Sequence, residues 1–165
     1  MARTDSFFIR ASVSTDTTNY NETAIDLGAY VDALGKSVLR IHNVQVQYGD
    51  AGESVGNLSP SVNTDVSFQL TTQSQTSLVA LNNRSVVASG QLAIACDAGS
   101  DLSILAESLD AGPQHWTDGY LIAVEQMYLG VDQGINALSQ VSIVMECTVE
   151  SMTQAAAMAL ALSQQ

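Results

Sequence analysis

Lysine is nearly missing from this chain. Lys36 is the only one, and Lys and Arg together number 5 against 17 Asp and Glu, for a formal net charge of −12 over 165 residues. A surface so poor in cations has little with which to neutralise a phosphate backbone, which argues against direct contact with nucleic acid. The same acidity implies self-repulsion that salt relieves, and it hints at a salty setting. Cysteine is limited to Cys96 and Cys147, too few for a disulfide framework. Each lies in an apolar, strand-like run, where free cysteine behaves as a small buried hydrophobe, and a single cross-strand disulfide stays open. No stretch approaches the roughly 20 apolar residues of a membrane helix. Met1 to Asp5 is not a basic region leading into an apolar one, so a soluble protein without a visible export signal is expected.

Catalytic signatures are missing too. His42 and His115 are the only imidazoles, and a metal site of the cupin type needs several, with a glutamate, at short strand spacing. The chain has no HExxH, CxxC or GxSxG and no glycine-rich phosphate loop. Asp97 with Asp101, or Asp50 with Glu53, can offer oxygen ligands to a weak calcium ion, but no EF-hand spacing exists and solvated loop carboxylates are the simpler reading. Asp110, His115 and Asp118 form a loose acid–base group with no nucleophile placed by any motif, so an ordinary polar loop is expected there. The tripeptides starting at Asn21, Asn57 and Asn83 match the glycan acceptor pattern and are read as chance matches without an export signal. No catalytic, cofactor-binding or metal-binding residue is assigned, no cofactor is expected, and the chain reads as a non-enzyme.

What is present is alternation. From Gln140 to Glu150, Val141, Ile143, Met145, Cys147 and Val149 point one way and Ser142, Glu146, Thr148 and Glu150 the other, the period-2 pattern of a half-buried strand. Ser6–Thr15 alternates likewise. Glu22–Leu34 is mixed, and Gly28 and Gly35 favour strand then turn over helix. Ser37–Tyr48 changes phase midway, with Leu39 and Ile41 odd and Val44, Val46 and Tyr48 even, which predicts a bulge at His42 and Asn43. Val66, Phe68 and Leu70 mark a further strand. Ser77–Leu81 and Ser85–Ala88 are short apolar pieces around an Asn82–Asn83 turn, and Gln91–Cys96 is again a strand. Leu102–Leu109 fits either a helical turn or a short strand. Tyr120–Val131, apolar on both faces apart from Glu125 and Gln126, reads as one central strand. Two long loops are expected, Gly49–Thr64 and Gly112–Gly119. The alanine-rich segment 153–163 predicts a short terminal helix capped by Ser151 or Thr153. It packs on its own sheet in the simplest case and on a neighbour in the other. These elements predict one all-β domain over 1–165, a single jelly roll or β-sandwich of about eight antiparallel strands with a short C-terminal helix.

The strand immediately after the start (Phe7 to Val13), the run LRIHNVQVQY (Leu39 to Tyr48) before a long polar loop, and the closing pair GYLIAVEQMYLGVD and SQVSIVMECTVE resemble, in order and organisation, the small single jelly-roll capsid proteins of icosahedral viruses, particularly acidic coat proteins of archaeal and environmental viruses. No short motif carries the likeness and no functional residue comes with it. Only Arg3 and Arg10 precede Ala11, so the arginine-rich arm of coat proteins that touch their genome is missing. The resemblance therefore implies a genome kept from the shell by a membrane or another protein.

The expectation is a structural, self-assembling subunit of a virion, whose partners are copies of itself, in trimers or pentamers within a shell, and other virion proteins. Trp116, Tyr120, Met158, Leu160 and Leu162 are the candidate interface residues. The alternative is a β-sandwich binding module that recognises carbohydrate or protein through loops 49–64 and 112–119, with Trp116 and Tyr120 stacking on a sugar face. Monomeric behaviour and glycan binding lost in Trp116→Ala separate it from the first.

Overall fold

The computed structural model describes residues 4–15, 19–32, 36–53, 64–96, 104–109, 114–134 and 138–165, with side chains described throughout these except at Thr64, Ala95, Cys96 and 104–109. Alternation becomes strands: β1 (Phe7–Ser14), β2 (Asn21–Asp26), β3 (Ser37–Tyr48), β4 (Thr64–Thr71), β5 (Val86–Cys96), β6 (Ile104–Leu109), β7 (Gln114–Ile122), β8 (Gln126–Gln133) and β9 (Gln140–Ser151), followed by α1 (Gln154–Ser163). In β9, Val141, Ile143, Met145 and Cys147 are all buried, as the period-2 pattern requires.

The strands form two antiparallel sheets, ordered β1-β9-β3-β7 and β2-β8-β4-β5-β6. Pairing is nested along the chain. The outermost pair is β1 with β9, then β2 with β8, β3 with β7, and innermost β4 with β5. A long antiparallel ribbon rolled up in this way is a jelly roll, and β6 extends the second sheet beyond β5. The inner faces meet in one apolar cluster that includes Leu39, Ile41, Ile143 and Met145 from the first sheet and Phe68, Leu70, Met127 and Leu129 from the second. The edge-on contact of Tyr48 with Phe68, centroids 6.1 Å apart, joins the two faces.

The predicted phase slip in β3 is a bulge. Ile41 lies opposite Cys147 and Asn43 opposite Glu146, so one extra residue of β3 is taken up at His42. Leu39 and Ile41 point inward before it and Val44 after it, each against an inward residue of β9. The bulge lets a 12-residue strand keep its apolar set in the core despite the shift in sequence phase.

Two expectations change. The segment expected as the loop Gly112–Gly119 is strand from Gln114 onward, because β7 pairs with β3 as an edge strand, and an edge tolerates the polar residues His115, Thr117 and Asp118. Residues 112 and 113 lie outside the described part. Tyr120–Val131 is not one central strand. It breaks at Ala123–Glu125, where the chain passes from one sheet to the other. Ala123 and Val124 are buried at this corner, so the apolar run continues through a turn that has no glycine or proline to mark it. With that division the described residues form nine strands, in keeping with the expected sandwich of about eight. Ser85 lies just before one unbroken β5, and 104–109 takes the strand option.

Between the pairs Ile41 with Tyr120 and Asn43 with His115, β7 carries more residues than β3, and Gly119 closes this irregularity at φ +73°. A Cβ there falls 2.6 Å from Cγ of Arg40 and 3.0 Å from the Ile41 carbonyl. Gly119→Ala therefore meets both left-handed strain and a clash, and it is expected to lower stability by about 1–3 kcal/mol in urea titrations. An effect within ~0.5 kcal/mol of zero contradicts this assignment.

Candidate interface

Alanine at 155, 156, 157, 159 and 161 gives α1 its propensity, and Thr153 caps it, its hydroxyl accepting from Ala156 N at 3.4 Å. Ala157 and Ala161 are buried against Val38 and Ala123, with Leu121, Met152 and Leu160 packed around them. Val38 faces away from the core that Leu39 enters, so α1 sits on the outer face of the first sheet, the own-sheet option of the sequence reading. Gln164 fastens its end. The buried amide accepts from Ala123 N at 3.0 Å and donates to the Leu121 carbonyl at 2.6 Å, while the Gln164 carbonyl accepts from the Thr72 hydroxyl at 2.7 Å.

The opposite side of this fixed helix is apolar and wet. Ala155, Met158, Ala159 and Leu162, spaced i, i+3, i+4, i+7, are exposed, Met158 at 44% and Leu162 at 68%. From Ser151 to Gln165 the sequence has no charged side chain. Of the five candidate interface residues, Met158 and Leu162 lie on this stripe, whereas Leu160 is half-buried and turned toward Val38 and Ala123. Trp116 and Tyr120 are brought together, ring centroids 5.5 Å apart, and both pack half-buried against the main core. Burial raises the Tyr120 hydroxyl pKa.

The outer face of the first sheet carries a polar ladder between β3 and β9. Arg40 donates from Nε and Nη2 to the two Glu150 carboxylate oxygens at 2.6 and 2.8 Å, and from Nη1 to the Asp118 carbonyl. Asn43 donates to Glu146 at 2.6 Å, and His42 Nε2 lies 3.0 Å from the Thr148 hydroxyl. The side chains of Arg40 and Glu150 are only 12% and 3% exposed, so this fork is a largely desolvated charge pair. Its hydrogen bond to Glu150 raises the Arg40 pKa further.

Of the candidate calcium ligands, Asp50 and Glu53 lie among the described residues, and both make hydrogen bonds. Glu53 accepts from Asp50 N at 2.6 Å and from the Ser139 hydroxyl at 2.6 Å, clamping residues 50–53 to the start of β9. The Ser139 and Asp50 hydrogen bonds hold its pKa below the ordinary glutamate value. Asp97, Asp101 and Asp110 fall outside the described residues. Among the described residues no group of three His, Cys, Asp or Glu is placed to hold a metal ion, and no helix is long and apolar enough to cross a membrane. Cys147 is a free, buried thiol, pushed up to about 12 by burial and by the Glu146 charge. The side chain of Cys96 is outside the described set.

Three features escaped the sequence reading. Phe8 is 53% exposed on the outer side of β1 with the Arg10 guanidinium 5.7 Å from its ring, and Phe7 stacks on Tyr30 at 4.8 Å. The only sequence signal was Phe8 itself, an apolar residue on the polar phase. On the second sheet, Gln69 donates to the Ser77 carbonyl and Glu22 accepts from Gln75 N, fastening 74–79 over the strands. Tyr20, raised to about 12 chiefly by burial, lies over Gly130, where a Cβ would fall 1.8 Å from its hydroxyl.

No family model and no curated protein matches the chain. Among solved structures, a crystal structure of dimeric latent PorU from Porphyromonas gingivalis is similar over 87% of this chain and 13% of that one, at 10% identity and a TM-score of 0.36. The chain thus spans about an eighth of that protein, and the likeness is too slight to bear on function.

Arg40→Met removes the guanidinium that faces the buried Glu150 carboxylate and is expected to cost about 3–5 kcal/mol, while the double change with Glu150→Met costs clearly less. Equal losses in chemical denaturation contradict the pairing. Glu53 has its folded pKa below its unfolded one. Its contribution is therefore complete above the unfolded value and is lost as pH falls through the folded value. Glu53→Gln should flatten the acid limb of a Tm–pH curve, and an unchanged limb contradicts the clamp.

Proposed function

We propose that this protein is a structural, non-enzymatic subunit that assembles with copies of itself, as a coat protein of an icosahedral virion. The observation that carries the reading is the nested jelly-roll strand order, β1-β9-β3-β7 against β2-β8-β4-β5-β6. This is an argument from architecture, and the same architecture also serves lectins and cupins. Two features favour the structural use. Among the described residues no group of three His, Cys, Asp or Glu is placed to hold a metal ion, and a fixed helix holds the uncharged stripe of Met158 and Leu162 in solvent. Trp116, half-buried against the core beside Tyr120, gives less support to a sugar-stacking module.

The charge fixes the conditions. Copies at −12 each repel, so assembly should strengthen as salt screens them. With 5 Lys and Arg, the inner surface of a shell meets a membrane or another virion protein more readily than bare nucleic acid. Each stable contact needs roughly 1,200 Å² or more of buried surface, which α1 alone is too small to supply, so neighbouring elements share it.

Sedimentation of the purified protein over rising salt tests the reading. Species larger than a monomer are expected to grow with salt, and Met158→Glu with Leu162→Glu should weaken them roughly tenfold or more while far-UV CD stays unchanged. A monomer at every salt and protein concentration overturns it.

A further inference from the structure

A sheet edge offers unpaired N–H and C=O groups to any extended chain, and proteins blunt edges by shortness, bulges or charge. Among the described residues, three of the four sheet edges are blunted. β7 is interrupted at the Gly119 irregularity and carries Asp118. β2 has 6 residues and two carboxylates, Glu22 and Asp26. β6 has 6 residues, and its register shifts at Ala95/Cys96. β1 differs. Its 8 residues pair with β9 in unbroken register, and among the described residues it has a strand partner on one side only.

The free side can be identified. Thr15 N donates to the Ser139 carbonyl at 3.0 Å in continuation of the β1–β9 register, so odd-numbered residues turn their backbone groups toward β9. Even-numbered residues turn theirs away, and the Ser14 carbonyl accordingly accepts from the Asn21 side chain at 2.7 Å. Phe8, Arg10 and Ser12 therefore present their N–H and C=O groups outward. Beside them runs an open groove of about 430 Å³, bounded by β1, Thr23 to Asp26 of β2, and Tyr30. In a chain of net charge −12, β1 bears one charge, and it is positive.

We propose that β1 is a pairing edge whose occupant is β1 of a second copy, antiparallel across a two-fold axis, joining two four-stranded sheets into one of eight strands. The inference rests on the self-assembly reading and names one of its contacts. An isologous contact must be complementary to itself. With Ile9 on the axis, Phe8 of each copy stands opposite Arg10 of the other, so the Arg10–Phe8 contact now made within one chain is made twice between chains. A register with Arg10 on the axis sets the two guanidinium groups against each other and is disfavoured.

Two variants test this. Ser12→Pro removes an outward N–H and leaves the β9 ladder its donors, a change an edge strand tolerates. Arg10→Glu reverses the one edge charge at an exposed position. Wild type, Ser12→Pro and Arg10→Glu are compared by sedimentation equilibrium at low and high salt, with far-UV CD as the folding control. A wild-type dimer, or a larger species built from it, is expected, and each variant should dissociate roughly tenfold or more readily with its CD unchanged. Assembly that both variants leave intact overturns the edge and leaves the self-assembly reading standing. A dimer lost in the variants, with nothing larger in the wild type at any salt, supports the edge and counts against the shell. A wild-type monomer throughout overturns both.

Discussion

β9 must serve two neighbours with a single side-chain phase. It lies between β1 and β3, and its inward set of Val141, Ile143, Met145 and Cys147 never shifts, so each neighbour has to match it. β1 does so residue for residue over its whole length. β3 cannot, because its apolar residues change from odd to even, and the bulge at His42 absorbs the difference. The bulge is then felt on the far side of β3. There β7 deforms, Gly119 takes positive φ, and Arg40 packs over it with its guanidinium held by Glu150 of β9. One strand's constancy thus fixes the register of the first sheet and the place of the largely buried Arg40–Glu150 pair.

The outer face of that sheet shows how the fold decides what remains for other molecules. Its polar ladder satisfies itself, Arg40 with Glu150 and Asn43 with Glu146. Beyond the ladder, Val38 on the same face receives α1 through two alanines, whose small size lets the helix approach closely, and Gln164 pins the end. Burying alanine inward turns the larger Met158 and Leu162 outward. The helix is held firmly while its bulkier Met158 and Leu162 side chains stay in water.

Much of this was legible in the sequence, and the failures have physical causes. Alternation in β1, β3, β4 and β9 is strong because one face of each meets the core, and the β3 phase change showed the bulge directly. The helix was legible from alanine content and Thr153. The polar segment from Gln114 to Gly119 hid a strand because an edge strand has one neighbour and does not need an apolar set. The β7–β8 corner hid because Ala123 and Val124 are buried at a sheet crossing, where the usual turn residues would leave a hole. Of the three helix residues named from the sequence, Met158 and Leu162 are exposed and Leu160 is half-buried. The outward turn of Phe8 and the inward turn of Leu160 depend on which sheet face is covered, and that is set by contacts distant in sequence.

The central claim, a jelly-roll subunit made to build a closed shell, is tested most directly by electron microscopy of the purified protein after concentration at high salt. The account predicts closed particles of uniform diameter that disperse when salt is withdrawn. Fields of isolated subunits, or open and irregular aggregates at every salt, contradict it.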